Sequence, residues 1–236
     1  KLFKVGDRVS HASMPIGAYS EKHIMPENKL VPVPDGVSDE EASCITLKGI
    51  TAEYLLHRAY PLKKGDKVLY HAAAGALGQI LCPWANSIGA EIIGTVGSKE
   101  KEEIAKKNGC HHVINYTTKK FVEEVEKIVG KNGIDVVYDG VGLKTFEGSI
   151  EVLKIRGMMV AFGNASGYVD TIDVKKHINA KGLFFTRPSI AHYTIEREEL
   201  LESAKKVFDA VLSGKFKIEI SKKYSLDEVK QAHEDL

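Results

Sequence analysis

From residue 66 onward, six short runs rich in β-branched and aromatic residues alternate with stretches of helical periodicity. The runs occupy residues 67–70, 92–96, 112–114, 136–139, 158–162 and 183–185. They recur roughly every 20–25 residues, the length of one strand plus one crossover helix. Apolar character that is continuous rather than alternating belongs to strands covered on both faces. The pattern therefore predicts an α/β fold, a doubly wound parallel sheet of six strands.

Helix punctuation supports this reading. Ser98 caps a helix over Lys99–Lys107 that stops at Gly109, and Thr118 precedes an apolar face of Phe121, Val122, Val125, Ile128 and Val129 before Gly130. Leu200, Ala204, Val207 and Val211 form one face of a long helix ending at Gly214. Ser38 with Glu41, and Ser225 with Glu228, have capping-box spacing, the first opening a helical stretch through Leu56. Pro83, inside the helix that follows the first strand of the sheet, predicts a kink costing about 3 kcal/mol, to be offset by packing of Ala85 and Ile88. Residues 1–35 offer β pieces instead: a turn into a strand at residues 4–9, a second strand from Gly17 to Glu21, and extended chain at residues 31–34.

Composition excludes several classes. A net charge of +1 with 43% hydrophobic residues argues against intrinsic disorder and against bulk attraction to polyanions, so nucleic acid is not an expected partner. Lysine pairs at 119–120, 205–206 and 222–223 read as solvated faces. Residues 68–90 lack charge over 23 positions, but the run holds His71, Gln79, Asn86, Pro83 and three glycines. It divides into a strand and a small-residue helix rather than a membrane span. Cys44, Cys82 and Cys110 are widely spaced and odd in number, which implies no complete disulfide set and a reducing, cytoplasmic location.

The sharpest chemical signal is Ala73-x-Gly75-x-x-Gly78, placed after the first strand of the sheet and at the start of a helix. That is the position of a dinucleotide fingerprint. Gly75 admits the backbone to a pyrophosphate, Gly78 allows close helix–strand packing, and the helix N-terminus favours the phosphates through its free N–H groups and dipole. Ala73 replaces the usual first glycine. About 22 positions past Gly75, where an NAD site places an acid for the ribose hydroxyl, stand Gly97, Ser98, Lys99, Glu100 and Lys101. The small residue, hydroxyl and lysines suit a 2′-phosphate. Glu100 would take the ribose instead if the turn were one or two residues longer.

Taken in order, Ala72-Ala73-Ala74-Gly75-Ala76-Leu77-Gly78, Gly97-Ser98-Lys99-Glu100-Lys101, Val113-Ile114-Asn115-Tyr116, Tyr138-Asp139-Gly140-Val141-Gly142, Phe162-Gly163-Asn164 and Thr186-Arg187-Pro188-Ser189 give the chain a clear resemblance. It resembles the zeta-crystallin-like quinone oxidoreductases of the medium-chain dehydrogenase/reductase superfamily, from Val5 to His233. The resemblance implies NADPH as cofactor, a homodimer, and a quinone as substrate, with an enone or alkenal double bond as the alternative. It implies that Lys101 and Tyr116 frame the 2′-phosphate with Gly97 and Ser98, and that Ala73, Ala74, Gly75, Ala76 and Leu77 form the phosphate turn. Thr51, Val141, Phe162, Gly163, Asn164, Phe185 and Thr186 would line the rest of the cofactor cleft, with no catalytic side chain assigned.

The resemblance also implies domains: residues 1–37 as part of a GroES-like catalytic barrel, 38–190 as the NADP-binding Rossmann domain, and 191–236 as helices returning to the catalytic domain. It further implies catalytic-domain chain ahead of Phe3 and a strand after the last helix, so that the chain is incomplete at both ends. Gly140 departs from the serine frequent in relatives. Zinc-dependent alcohol dehydrogenases are the nearest competitor, but aligning the helix at residues 49–54 puts Lys48 where their later zinc cysteine stands, and no cysteine lobe is present. Zinc is therefore not expected, and His11, His23, His57, His71, His111 and His112 read as surface or structural. An RNA-binding or crystallin-like structural role is the non-enzymatic alternative.

Overall fold

The computed structural model describes residues 1–12 and 15–235. Its centre is a six-stranded, all-parallel sheet made of β3 (Lys67–His71), β4 (Glu91–Val96), β5 (His112–Asn115), β6 (Ile134–Asp139), β7 (Leu153–Ala161) and β8 (Phe184–Thr186). The order β5-β4-β3-β6-β7-β8 reverses direction between β3 and β6, the switch point of a Rossmann sheet. N-terminal to it, β1 (Val9–Ser10) and β2 (Val31–Pro32) form a small antiparallel pair.

Alternate side chains of the sheet feed two cores. Val68, Tyr70, Ile92, Val136, Tyr138 and Val160 pack beneath α1 (Asp39–Tyr54), α2 (Gly78–Ile88) and α6 (Arg197–Leu212). Leu69, Ile93, Val137 and Met159 pack beneath α4 (Phe121–Val129) and α5 (Phe146–Val152). Both faces are thus covered, which is why these strands read as unbroken apolar runs. The crossover helix between β4 and β5, α3 (Lys99–Lys107), and the short α7 (Val229–Glu234) complete the set.

Most punctuation acts as the sequence suggests. Ser38 accepts the Glu41 amide while its own amide donates to the Glu41 carboxylate, and Ser225 and Glu228 repeat the box before a single 3₁₀ turn leads into α7. Helix α2 runs unbroken through Pro83, with Ala85 buried and Ile88 packed at the core's edge. Two expectations fail. Residues 17–21 form no strand: Ser20 Oγ donates to the Gly17 carbonyl and Gly17 takes a φ of +145°, so the segment turns on itself. Thr118 caps nothing, since its hydroxyl donates back to the Asn115 carbonyl and α4 starts after Lys120 without a side-chain cap.

The junction of α1, α6 and the turn at residues 190–193 is held by charge. Glu53, wholly buried, accepts from Ser203 Oγ at 2.9 Å and pairs with Arg58 at 3.1 Å and Lys206 at 3.3 Å. Arg58 also lies 5.0 Å above the ring of Tyr193, which stacks on Tyr54 at 4.5 Å. Burial, with Tyr193 alongside, pushes the Tyr54 hydroxyl up to about 12. Lys206 is therefore not one of the solvated lysines its pairing with Lys205 suggested.

Candidate functional site

The carboxyl ends of the strands converge on the switch point, and nearly every residue expected at a nucleotide site stands there. Immediately past β3 the chain turns through residues 72–77 into α2. Gly75 N donates to the Ala72 carbonyl at 2.9 Å, and the turn begins on Ala72 with a left-handed φ of +61°. Among the described residues the amides of Ala76, Leu77 and Gly78 have no acceptor, which leaves three unpaired donors at the positive end of the α2 dipole. A Cβ at Gly78 would be driven into the Ala73 carbonyl, which is backbone against backbone. The cradle thus has the form an anionic diphosphate requires.

One strand further out, β4 and β5 end side by side, Val96 opposite Asn115. Asn115 is buried, accepts from the amide and hydroxyl of Thr117 and donates to Glu102, which fixes the turn carrying Tyr116. The Tyr116 ring lies over Gly97, its Oη 2.5 Å from where a Cβ would stand. Ser98 Oγ caps α3 by accepting the Lys101 amide at 3.3 Å. The Glu100 carboxylate turns back onto the cap: its own backbone amide and the Ser98 hydroxyl hold it below the usual range. Among the described residues the Lys101 ammonium has no carboxylate partner.

On the other side of the switch point, the loops after β6 and β7 are laced together. Gly163 N donates to the Asp139 carbonyl, Ala165 N to Gly140, Ser166 N to Val141 and Leu143 N to Gly167. Gly163 lies so close to Gly140 that a Cβ would enter its backbone, and the Phe162 ring sits 2.9 Å from a Cβ at Gly140. That ring fills the space a serine would need, which accounts for glycine here. Val141, Phe162, Gly163 and Asn164 are thus brought into one wall. Thr186 ends β8, whereas the Phe185 ring packs inward on Phe146 and leaves its backbone to the cleft. Thr51 stands apart on α1, half-buried, its hydroxyl donating to the Leu47 carbonyl at 2.8 Å.

A cavity of about 1180 Å³ lies apart from this crevice, an apolar hollow between the N-terminal segment, α1 and residues 190–195, lined among others by His11, His23, Leu47, Ile190 and Thr194. Lys48 is exposed on α1, and among the described residues no group of three or more His, Cys, Asp and Glu could hold a metal ion. Cys44, Cys82 and Cys110 are free. No helix among the described residues is long and apolar enough to cross a membrane.

A Rossmann sheet with a glycine phosphate turn at its switch point defines a dinucleotide-binding protein, and the comparisons narrow the class. The chain belongs to the zinc-binding dehydrogenase family, whose model matches residues 76–212. Within the family it is similar to a 2-haloacrylate reductase of Burkholderia sp., with 46% identity over 98% of this chain and 70% of the relative. It is 42% identical to quinone oxidoreductase 1 of Escherichia coli K12, covering 100% of this chain and 73% of that one. The crystal structure of Escherichia coli quinone oxidoreductase complexed with NADPH superposes with a TM-score of 0.94 at 42% identity, over 99% of this chain and 72% of the other.

The sequence missed one feature of the site, the buried polar cluster around Asp139. Its members, His71, Thr95, Ser149 and Asp139, are scattered over four elements, and no spacing announces them.

Proposed function

We propose that this protein reduces quinones with NADPH and that the crevice at the switch point holds the cofactor. The observation that supports the nucleotide choice is that Lys101, whose amide is capped by Ser98 at the turn where Tyr116 covers Gly97, has no carboxylate partner among the described residues, while the Glu100 carboxyl is held low by its own amide and Ser98. When bound, NADPH supplies a hydride. The protein's contribution is placement. Amides of Ala76, Leu77 and Gly78 hold the pyrophosphate, on a turn shaped by Ala73, Ala74 and Gly75. Ser98, Lys101 and Tyr116 hold the 2′-phosphate, with Gly97 leaving room for it. The wall of Val141, Phe162, Gly163 and Asn164, with Thr51, Thr186 and the Phe185 backbone, flanks the nicotinamide half. Among the described residues that wall presents no free acid or base, since Asp139 is committed to four donors. Quinone reduction suits such a site because its protons can come from water.

Steady-state kinetics on quinones, enones and alcohols with each nicotinamide, with and without a chelator, test this reading. Quinone turnover preferring NADPH and indifferent to chelation is the expected result; Lys48 on α1 motivates the latter. Lys101→Ala is expected to weaken NADPH binding about 10–100-fold through loss of charge-assisted hydrogen bonds and to leave NADH nearly unchanged. Equal losses for both would remove Lys101 from the site. The similarity to a 2-haloacrylate reductase supports a second reading, reduction of an activated carbon–carbon double bond, and faster turnover of enones than quinones would select it.

The homodimer would form through β8. Among the described residues this strand pairs only with β7, which leaves its other edge open, and it exposes 56% of Phe184. Sedimentation should give a dimer that Phe184→Lys converts to monomer; a monomeric wild type would refute the assembly.

A further inference from the structure

Asp139, at the end of β6, is the hub of the laced loops, and its carboxylate acts as acceptor four times. Oδ1 takes the amides of Val141 and Gly142 at 2.8 and 2.9 Å, while Oδ2 takes the hydroxyls of Thr145 and Ser149 at 2.7 and 3.1 Å. Behind it, Ser149 Oγ lies 3.0 Å from Nε2 of His71, and Nδ1 of His71 lies 2.9 Å from Oγ1 of Thr95. All four of Thr95, His71, Ser149 and Asp139 are inaccessible to solvent. The Thr95 carbonyl in turn receives the Ala73 amide, so the chain of bonds reaches the phosphate turn.

Proton counting fixes the direction of this chain. Ser149 has one proton and spends it on Asp139, so at its contact with His71 the serine must accept and Nε2 must carry hydrogen. Burial favours the neutral imidazole over the pull of Asp139, which leaves Nδ1 as acceptor for the Thr95 hydroxyl. Every contact then has one donor, running from Thr95 to His71 to Ser149 to Asp139, whose carboxylate also receives the amides of Val141 and Gly142.

We propose that His71, as the Nε2–H tautomer, is a positioning residue for the nicotinamide half of the site. It orients Ser149, which orients the carboxylate that sets the β6 loop. The inference rests on the NADPH reading above and adds a division of labour. The relay meets the adenine side only at Thr95 on β4, and among the described residues no hydrogen bond joins it to Ser98, Lys101 or Tyr116.

The test separates the two halves with two ligands. His71→Phe should weaken NADPH binding about tenfold by removing the donor to Ser149, while adenosine 2′,5′-bisphosphate, which reaches only the adenine half, binds as to wild type. His71→Gln, which can offer an N–H near the Nε2 position, should recover NADPH binding, and His71→Asn should not. Independently of any ligand, nitrogen-15 histidine spectra of the wild type should show His71 protonated on Nε2. Unchanged NADPH binding in folded His71→Phe, equal loss of both ligands, or an Nδ1–H tautomer overturns the proposal. Should His71→Phe fail to fold, Ser149→Ala carries the same two-ligand comparison. A wild type that binds neither ligand would instead refute the cofactor reading, and the tautomer would still judge the relay.

Discussion

Gly78→Ala is expected to abolish useful cofactor binding, with NADPH affinity falling at least about 100-fold, or about 3 kcal/mol. The added methyl meets the Ala73 carbonyl carbon and oxygen, which belong to the phosphate turn itself. Backbone cannot swing aside as a side chain can, so either α2 withdraws or the turn opens, and both displace the amides of Ala76, Leu77 and Gly78. Overpacking of this kind also costs about 1–3 kcal/mol of stability. Gly97→Ala is the useful contrast: there the obstacle is the Tyr116 hydroxyl, the free end of an exposed side chain that can rotate away. Fluorescence titration with NADPH on the purified variant decides the matter. Affinity within a few-fold of wild type would mean that the turn is not the pyrophosphate site.

Glu53→Ala should be the most destabilising single change outside the sheet. It removes a wholly buried carboxylate and leaves Arg58 with only Glu199 and Lys206 with only Glu202 as carboxylate partners, in a half-buried cluster where Arg58 Nε already lacks a partner among the described residues. Breaking a buried pair from one side costs about 3–5 kcal/mol. For a chain of this size that corresponds to a fall in Tm of about 10 °C. Glu53→Gln keeps the shape and one acceptor and should lose less. Thermal denaturation read by circular dichroism measures both. An alanine variant melting within about 2 °C of wild type would show that water, not Arg58 and Lys206, satisfies Glu53.

What could be read along the chain was what is encoded locally. Strands covered on both faces leave continuous apolar runs, and the serine–glutamate boxes at Ser38 and Ser225 act over three positions, so both are legible. The phosphate turn is legible because Gly75 and Gly78 answer steric demands that a sequence can display. Interactions between distant positions were not. Glu53 meets Ser203 across 150 residues, and His71 meets Ser149 across 78. Nothing near His71 separates a surface imidazole from one at the centre of a relay. Gly17–Glu21 looked like a strand because its residues permit one, but a strand also needs a neighbour, and among the described residues none pairs with it.

The loops after β6 and β7 are laced by main-chain hydrogen bonds, whereas the 2′-phosphate end of the proposed cofactor site would be made of a lysine, a serine and an exposed tyrosine. On that reading the two ends of one ligand would be held by forces with different sensitivity to dissolved ions. At an ionic strength of about 0.15 M the screening length is near 8 Å, and it shrinks to about 3 Å at 1 M. Added salt will erode the charge-based preference for a phosphorylated ribose while leaving the grip on the reactive ring nearly untouched. Discrimination between the two nicotinamides would then be set jointly by the protein and by the medium, and the geometry of transfer by the protein alone.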